Sequence, residues 1–289
     1  MLRTKLAVSV LSFSLLMGSA AAMAKTVFIA SDVHPADYPT TAAVIHMGEK
    51  LSQQTDGRLS IRMFPSGQMG DESTTLEKTR AGAIDILRVS MAPVGGILPQ
   101  VSVFNMPFVF RDTDHQHKVL DGDIGNTLAK EISDSNLGLV FLGWMDAGSR
   151  SLITKKPITS LDDLKGVKIR LQNNPIGLDT FKALGANPIV LPVGDVFASL
   201  QTGVIDAAEN NEPTFDTENY VVAGTKYFDL TEHFMIPEVL AFSKRKWSKL
   251  SADDQALIMK LAKEAQAEER VLWAEYVEKS KQRLQSQGV

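Results

Sequence analysis

The chain has 289 residues, of which 44% are hydrophobic and 22% charged, the balance of a globular protein able to bury a full core in about two domains. Its 30 Lys and Arg against 34 Asp and Glu leave a formal charge of −4, which disfavours nucleic acid and anionic lipid as partners. Zero Cys excludes disulfides, thiol nucleophiles and thiolate metal sites, and says little about compartment because many exported proteins dispense with disulfides.

The first predicted element is a leader. Arg3 and Lys5 precede an apolar run from Leu6 through Met17, and Ala22-Met23-Ala24 supplies the small-x-small pattern of a signal-peptide cleavage site, placing the leader at residues 1–24. That run is too short to span a bilayer. No later apolar run lacks charges over a spanning length, so the mature chain is expected outside the inner membrane, with no insertion into it.

Thr26 to Ala30 reads as a strand, and Thr40 to Gln53 as a helix with Ala43, Val44, Met47 and Leu51 on one face. Leu59 to Phe64 returns as a strand, Glu72 to Arg80 as a helix and Ile84 to Val89 as a strand, before Pro93, Gly95, Gly96 and Pro99 mark a loop. A helix-rich stretch from Asp112 to Ile132 leads to the strand Gly138 to Trp144. Near Ser149 the alternation restarts. Strands Val167 to Leu171 and Pro188 to Leu191 alternate with helical spacing at Phe181 and Leu184, and at Val196, Phe197 and Leu200. Met235 to Phe242 then returns to the first half. Ser251 is a good cap for a helix from Ala252 to Gln285, about 50 Å long at 1.5 Å per residue. Its stripe includes Leu257, Ile258, Leu261, Ala262, Ala265 and Trp273, interrupted at Glu268 and Glu269; two shorter helices broken there, or a coiled coil, are the alternatives. The pattern is α/β in two lobes, one of residues 25–147 plus 236–275 and the other of 148–235 plus 276–289. Without a low-complexity linker, paired crossing strands should form the hinge.

In open sheets of this kind ligands sit beyond the carboxyl ends of the strands. Arg170 ends one predicted strand and Asn210 another, so both are placed to face one crevice and hold a small-molecule acid; an ordinary ion-pair role for Arg170 is the competing reading. The five His at 34, 46, 115, 117 and 233 have no metal-ligand spacing, and the chain contains no dinucleotide fingerprint, phosphate loop or nucleophile elbow. The pairs Asp162-Asp163 and Asp253-Asp254 read as helix starts. We therefore expect no catalytic residue, no metal and no cofactor.

Lys165-Gly166-Val167-Lys168-Ile169-Arg170, Leu184-Gly185-Ala186-Asn187-Pro188 and Leu200-Gln201-Thr202-Gly203-Val204-Ile205-Asp206 through Glu209-Asn210 closely resemble the signature of the solute-binding subunits of TRAP (tripartite ATP-independent periplasmic) transporters. Upstream, Phe64-Pro65-Ser66-Gly67-Gln68-Met69-Gly70-Asp71-Glu72, Gly82-Ala83-Ile84-Asp85-Ile86 and Phe104-Asn105-Met106-Pro107-Phe108-Val109-Phe110 are similar to further family blocks in the same order. The resemblance implies a two-lobed periplasmic-binding-protein-like fold, with two mixed sheets flanked by helices and the long helix lying across both lobes. Family members continue past Gln287-Gly288-Val289 with a further segment that this sequence lacks.

By the same resemblance, Arg170 is the carboxylate-clamping arginine, Arg150 a second ligand-binding arginine at the first crossing between lobes, with a hinge ion pair as the alternative, and Asn210 an amide that donates to the ligand. Asn211 either shares that task or caps the helix before Glu212-Pro213. Glu72 either accepts hydrogen bonds from sugar-like hydroxyls or stands in a helix first turn, and Ser90 is a ligand contact or a strand-terminal hydroxyl. His34 lies in a loop where members place ligand contacts and is either such a contact or a structural loop histidine; His233 stands behind the site, and Asp37, Arg88, Asn173 and Asn174 are weaker candidates. His34-Pro35-Ala36-Asp37-Tyr38-Pro39 together with Glu209-Asn210-Asn211 resembles the sugar-acid branch, implying a hexuronate such as glucuronate or galacturonate. The implied partners are a small-molecule carboxylate and the membrane permease subunits of a TRAP transporter, in the periplasm. Two other readings are a receptor that presents the acid to a sensor kinase, and a periplasmic lyase or hydrolase working through His34 and Glu72.

Overall fold

The computed structural model describes residues 25–289, and the predicted leader lies outside them. The chain opens with β1 (Thr26–Ser31), α1 (Pro39–Gln54), β2 (Leu59–Phe64), α2 (Glu72–Ala81) and β3 (Ile86–Ser90), a run in which β1 pairs in parallel with both β2 and β3. The stretch expected as a loop holds the short helix α3 (Met91–Gly95), capped by Ser90, and a 3-10 turn at Pro99–Asn105. The helix-rich stretch divides into α4 (Thr113–Asp121) and α5 (Asp123–Asp134), because Gly122 is extended (φ −93, ψ −166) and ends one helix as it starts the next. Gly125 permits that corner: a Cβ there would lie 1.9 Å from the Leu120 carbonyl oxygen. β4 (Leu139–Met145) completes this part of the chain.

The second half runs through β5 (Arg150–Thr154), β6 (Lys168–Leu171), α6 (Pro175–Ala183), β7 (Asn187–Val190), α7 (Val196–Thr202), β8 (Ala207–Asn210), α8 (Glu212–Thr217) and β9 (Tyr227–Phe234). The chain then returns as β10 (Glu238–Ser243), inserted antiparallel between β3 and β4, and closes with α9 (Lys244–Trp247) and α10 (Ala252–Ser286). Two mixed five-stranded sheets result, ordered β2-β1-β3-β10-β4 and β7-β6-β8-β5-β9. The two crossings run side by side, since Met145 pairs with Glu238 in one sheet and Arg150 with Phe234 in the other. The hinge is thus a pair of crossing segments, 146–149 and 235–237.

α10 is one unbroken helix. Its first half buries Ile258, Leu261, Ala262 and Ala265 against Val44, Met47, Leu51 and Phe242 of the first lobe. Its last turns place Leu284 among Ile153, Leu200, Phe215 and Tyr220 of the second. Ion pairs Arg58–Asp254 and Arg283–Asp216 pin the two ends. The acidic interruption of the stripe is absorbed rather than broken: Glu268 pairs with His46 and Lys50 of α1, and Glu269 is fully buried where it accepts a hydrogen bond from the Asp146 backbone N–H (3.1 Å). No helix among the described residues is long and apolar enough to cross a membrane.

Candidate functional site

The site forms where the carboxyl ends of parallel strands meet the starting ends of antiparallel ones. Arg170 on β6 is in register with Ala208 of β8, Asn210 ends β8 opposite Ser151 of β5, and Glu238 begins β10 opposite Ser90 at the end of β3. Between the sheets lies a cavity of about 310 Å³, lined among others by His34, Glu72, Arg150, Arg170, Asn210 and Glu238.

Arg170 is 3% exposed, and no carboxylate lies within ion-pair distance of it among the described residues. Its Nε donates to the Leu191 carbonyl (2.8 Å), which fixes the plane of the guanidinium; neither Nη group has a partner among the described residues. Burial accordingly pushes its pKa down from the usual arginine value, although a guanidinium stays charged at any physiological pH. A buried cation with two parallel donors and no counter-ion is the feature of the molecule that most demands an external anion.

Arg150 is in the opposite condition. Nε and Nη2 bind Glu209 Oε2 (2.6 Å) and Oε1 (2.8 Å), Nη2 also reaches the Glu209 carbonyl (2.9 Å), and Nη1 donates to Asn210 Oδ1 (2.9 Å). Burial opposes both charges, but the Glu209 carboxylate holds the Arg150 pKa above the usual arginine value, and Arg150 holds Glu209 down to about 2. Four of its five N–H donors are committed to the protein, so its main service is to fix Asn210. Oδ1 of Asn210 also accepts from the Asn211 backbone N–H (2.9 Å), leaving the Nδ2 donors toward the cavity.

Asn211 and Ser90 are occupied as caps. Asn211 Oδ1 accepts from Thr214 N (2.8 Å) and Nδ2 donates to the Ala147 carbonyl (2.9 Å), so its side chain caps α8 and ties it to the hinge although the residue borders the cavity. Ser90 Oγ accepts from Ala92 N (3.2 Å), is fully buried and does not line the cavity; the strand-terminal reading describes it.

The first-lobe wall is organised by Arg88. Its Nε (3.0 Å) and Nη2 donate to Asp32 Oδ1, and its Nη1 donates to Glu72 Oε1 (2.7 Å) and to Glu238 Oε2. Glu72 Oε1 further accepts from Ser90 N (3.1 Å), and Gln172 Nε2 of the second lobe reaches Glu72 Oε2 at 3.4 Å across the cavity. Burial, followed by the field of Arg88, drives His34 down to about pKa 3, so its ring is neutral. It stacks on Tyr38 (centroids 3.9 Å apart, 12° between planes), and its buried Nδ1 has no partner. Tyr38 in turn meets Thr214 Oγ1 of the second lobe at 3.1 Å.

The remaining candidates separate. Asn173 lines the cavity; Asp37 is exposed and Asn174 buried, and neither lines it. His233 lies behind, its Nε2 3.7 Å from Glu209 Oε2. Sequence reasoning missed Glu238, Asp32, Glu209 and Gln172. Glu209 was within reach, as an acid beside the amide in a buried strand, whereas Glu238 carries no local signal at all. Among the described residues no group of three or more His, Asp or Glu could hold a metal ion.

Residues 30–289 match the family model of bacterial extracellular solute-binding protein, family 7. A solute-binding protein of Chromohalobacter salexigens is 36% identical over 89% of this chain and 76% of its own. Among solved structures, a TRAP periplasmic solute-binding protein of Citrobacter koseri with bound D-glucuronate is 51% identical, with a TM-score of 0.89 over 91% of this chain and 88% of its own. In its apo, open structure the Citrobacter koseri protein superposes less well, with 50% identity and a TM-score of 0.80 over 91% and 87% of the two chains. A Bradyrhizobium sp. protein in complex with α/β-D-galacturonate is 42% identical, with a TM-score of 0.87 over 91% and 87%. The two-lobed architecture expected from the sequence is therefore the one these proteins share, and this chain belongs to the DctP family of periplasmic TRAP solute-binding proteins.

Proposed function

We propose that this protein captures a hexuronate, glucuronate or galacturonate, in the cleft between its lobes and delivers it to the permease subunits of a TRAP transporter. The carrying observation is Arg170, a buried guanidinium that lines the cavity and whose two Nη groups have no partner among the described residues. The ligand carboxylate would take those donors, with Asn210 Nδ2 beside them, while its hydroxyls meet Glu72 and His34 of the other lobe. A ligand touching both lobes stabilises their approach by its differential affinity for the closed arrangement. The better superposition on the glucuronate-bound relative than on the open one supports reading this cleft as the closed form. On this reading the lobes are residues 25–147 plus 236–275 and 148–235 plus 276–289, residues 1–24 direct export, and the protein is a receptor rather than an enzyme. A neutral His34 and a Glu72 held by Arg88 are poorly placed as a proton-transfer pair.

The test is a thermal-shift screen of the protein against D-glucuronate, D-galacturonate and simple dicarboxylates. A ligand at about 100 times its Kd stabilises the fold by about 2.7 kcal/mol. Stabilisation by the uronates that vanishes in Arg170→Ala is the expected result, and recovery of unaltered sugar acid after incubation accompanies it. Equal or stronger response to a dicarboxylate such as succinate overturns the ligand assignment.

A further inference from the structure

The two ends of the cavity are chemically opposite. At the second-lobe end stand unspent donors, the Nη groups of Arg170 and the Nδ2 of Asn210. At the first-lobe end a single guanidinium, Arg88, is shared by three carboxylates, those of Asp32, Glu72 and Glu238. The oxygens of Asp32 are consumed by Arg88, the His34 backbone N–H and Thr40 Oγ1. Glu72 and Glu238 are different: each spends one oxygen on Arg88 Nη1 and turns toward the cavity. Among the described residues Glu238 Oε1 accepts no hydrogen bond, and Glu72 Oε2 accepts only the 3.4 Å bond from Gln172.

We propose that Glu72 and Glu238, clamped on Arg88, determine specificity by admitting an acid whose far end carries hydroxyls and rejecting one that carries a second carboxylate there. This rests on the hexuronate reading above and sharpens it. A hydroxyl or hemiacetal group donates to the free carboxylate oxygens, whereas a second ligand carboxylate would stand beside like charge with no counter-ion to spare. Burial pushes Glu238 up to about 7, with the Glu72 carboxylate adding to the shift, so that near neutrality Glu238 holds a proton for part of the time. Even then Asp32 and one further carboxylate outweigh Arg88, and the wall keeps a surplus of negative charge. Arg170 at one end and this wall at the other therefore also orient the ligand, with its carboxylate toward the second lobe.

The probes are D-glucuronate and D-glucarate, in which the aldehyde carbon is oxidised to a second carboxylate; because D-glucarate cannot close the pyranose ring, the charge effect is read from how the variants change the ratio. Calorimetry at pH 8 should give D-glucarate a Kd at least about 100-fold weaker than D-glucuronate, a like-charge penalty of the size found at mismatched interfaces. Glu238→Gln keeps a carbonyl oxygen for Arg88 and removes one charge, and it should narrow that ratio by about 10-fold; Glu72→Gln is the second variant should the first fail to fold. Equal affinity of the unaltered protein for both probes overturns this inference while leaving the hexuronate reading intact. An unchanged ratio in both folded variants also overturns it. Binding of neither probe overturns the hexuronate reading and this inference together.

Discussion

Arg150 Nη1 donates to Asn210 Oδ1 at 2.9 Å, and this bond decides which end of the Asn210 amide faces the cavity. With the Asn211 backbone N–H on the same oxygen, the amide cannot turn over without breaking two hydrogen bonds. Asn210→Asp replaces the cavity-facing donors by an acceptor opposite the ligand carboxylate, and uronate affinity should fall by about 100-fold or more. Arg150→Lys removes the planar fork that spans Glu209 and Asn210 and leaves Glu209 under-paired in a buried strand. Both the melting temperature and the affinity of that variant should drop, which differential scanning fluorimetry and calorimetry read separately.

Arg170 obeys the reverse rule for stability. Arg150 and Arg88 are paired, but Arg170 is a buried charge that the unliganded fold must carry without a counter-ion. Removing it should weaken binding by about 2–5 kcal/mol, a quarter to somewhat over half of the about 8 kcal/mol that a micromolar ligand has. The same removal should leave the apo protein as stable as before or more so, because a well-packed apolar residue replaces an uncompensated cation. Arg170→Met measured without ligand checks this: a melting temperature lowered by several degrees would mean that the guanidinium holds the fold together rather than waiting for an anion.

Stability should depend on pH with opposite signs at two places. Glu209, held down to about 2 against burial by Arg150, contributes stability that is full above its ordinary value near 4.5 and disappears as pH falls toward 2. Glu238, pushed up to about 7 chiefly by burial, has the contrary effect: its contribution is full below about 4.5 and is lost as pH rises through about 7. Glu269 is raised well above its ordinary value by burial and by the neighbouring Asp146, so its contribution has the same sign and is lost as pH rises. Melting temperatures from pH 3 to 9 should trace a dome. Glu238→Gln should flatten the limb between about 4.5 and 7, and Glu269→Gln should flatten the alkaline side as well; an unaltered profile in both variants would refute these assignments.

What the sequence made legible was what local pattern controls. Apolar runs and period-3.6 spacing located most of the strands and α10, though not β9, whose exposed polar residues break any apolar run, and Arg170 stood out because a guanidinium after an apolar run at a strand end has few local partners to satisfy it. Asn211 and Ser90 were ambiguous for a physical reason, since the side-chain oxygens that bind a ligand are the same ones that cap a helix, and here they cap α8 and α3. Glu238 was invisible because its meaning comes from Arg88, 150 residues earlier, through the antiparallel insertion of β10 beside β3. The continuity of α10 across Glu268 and Glu269 likewise depended on partners elsewhere, His46, Lys50 and Asp146.

The cavity wall is coupled to the hinge through an aromatic chain. His34 stacks on Tyr38, Tyr38 meets the edge of Trp273 at 5.7 Å, and Trp273 of α10 packs against Gly148 in the first crossing segment. Gly148 has φ +59, and a Cβ there would lie 3.2 Å from the Trp273 ring, so this crossing needs both the left-handed backbone and the missing side chain. Gly148→Ala should cost about 1–3 kcal/mol from backbone strain alone. Trp273→Ala should cost about 3–5 kcal/mol from lost packing. Because Trp273 sits between the part of α10 buried in the first lobe and Leu284 in the second, its truncation should also weaken ligand binding by loosening the His34 wall. Calorimetry on the folded variant, below its lowered melting temperature, separates the two effects: a weaker uronate Kd establishes the coupling, and an unchanged Kd would reduce Trp273 to a stabilising contact remote from the site.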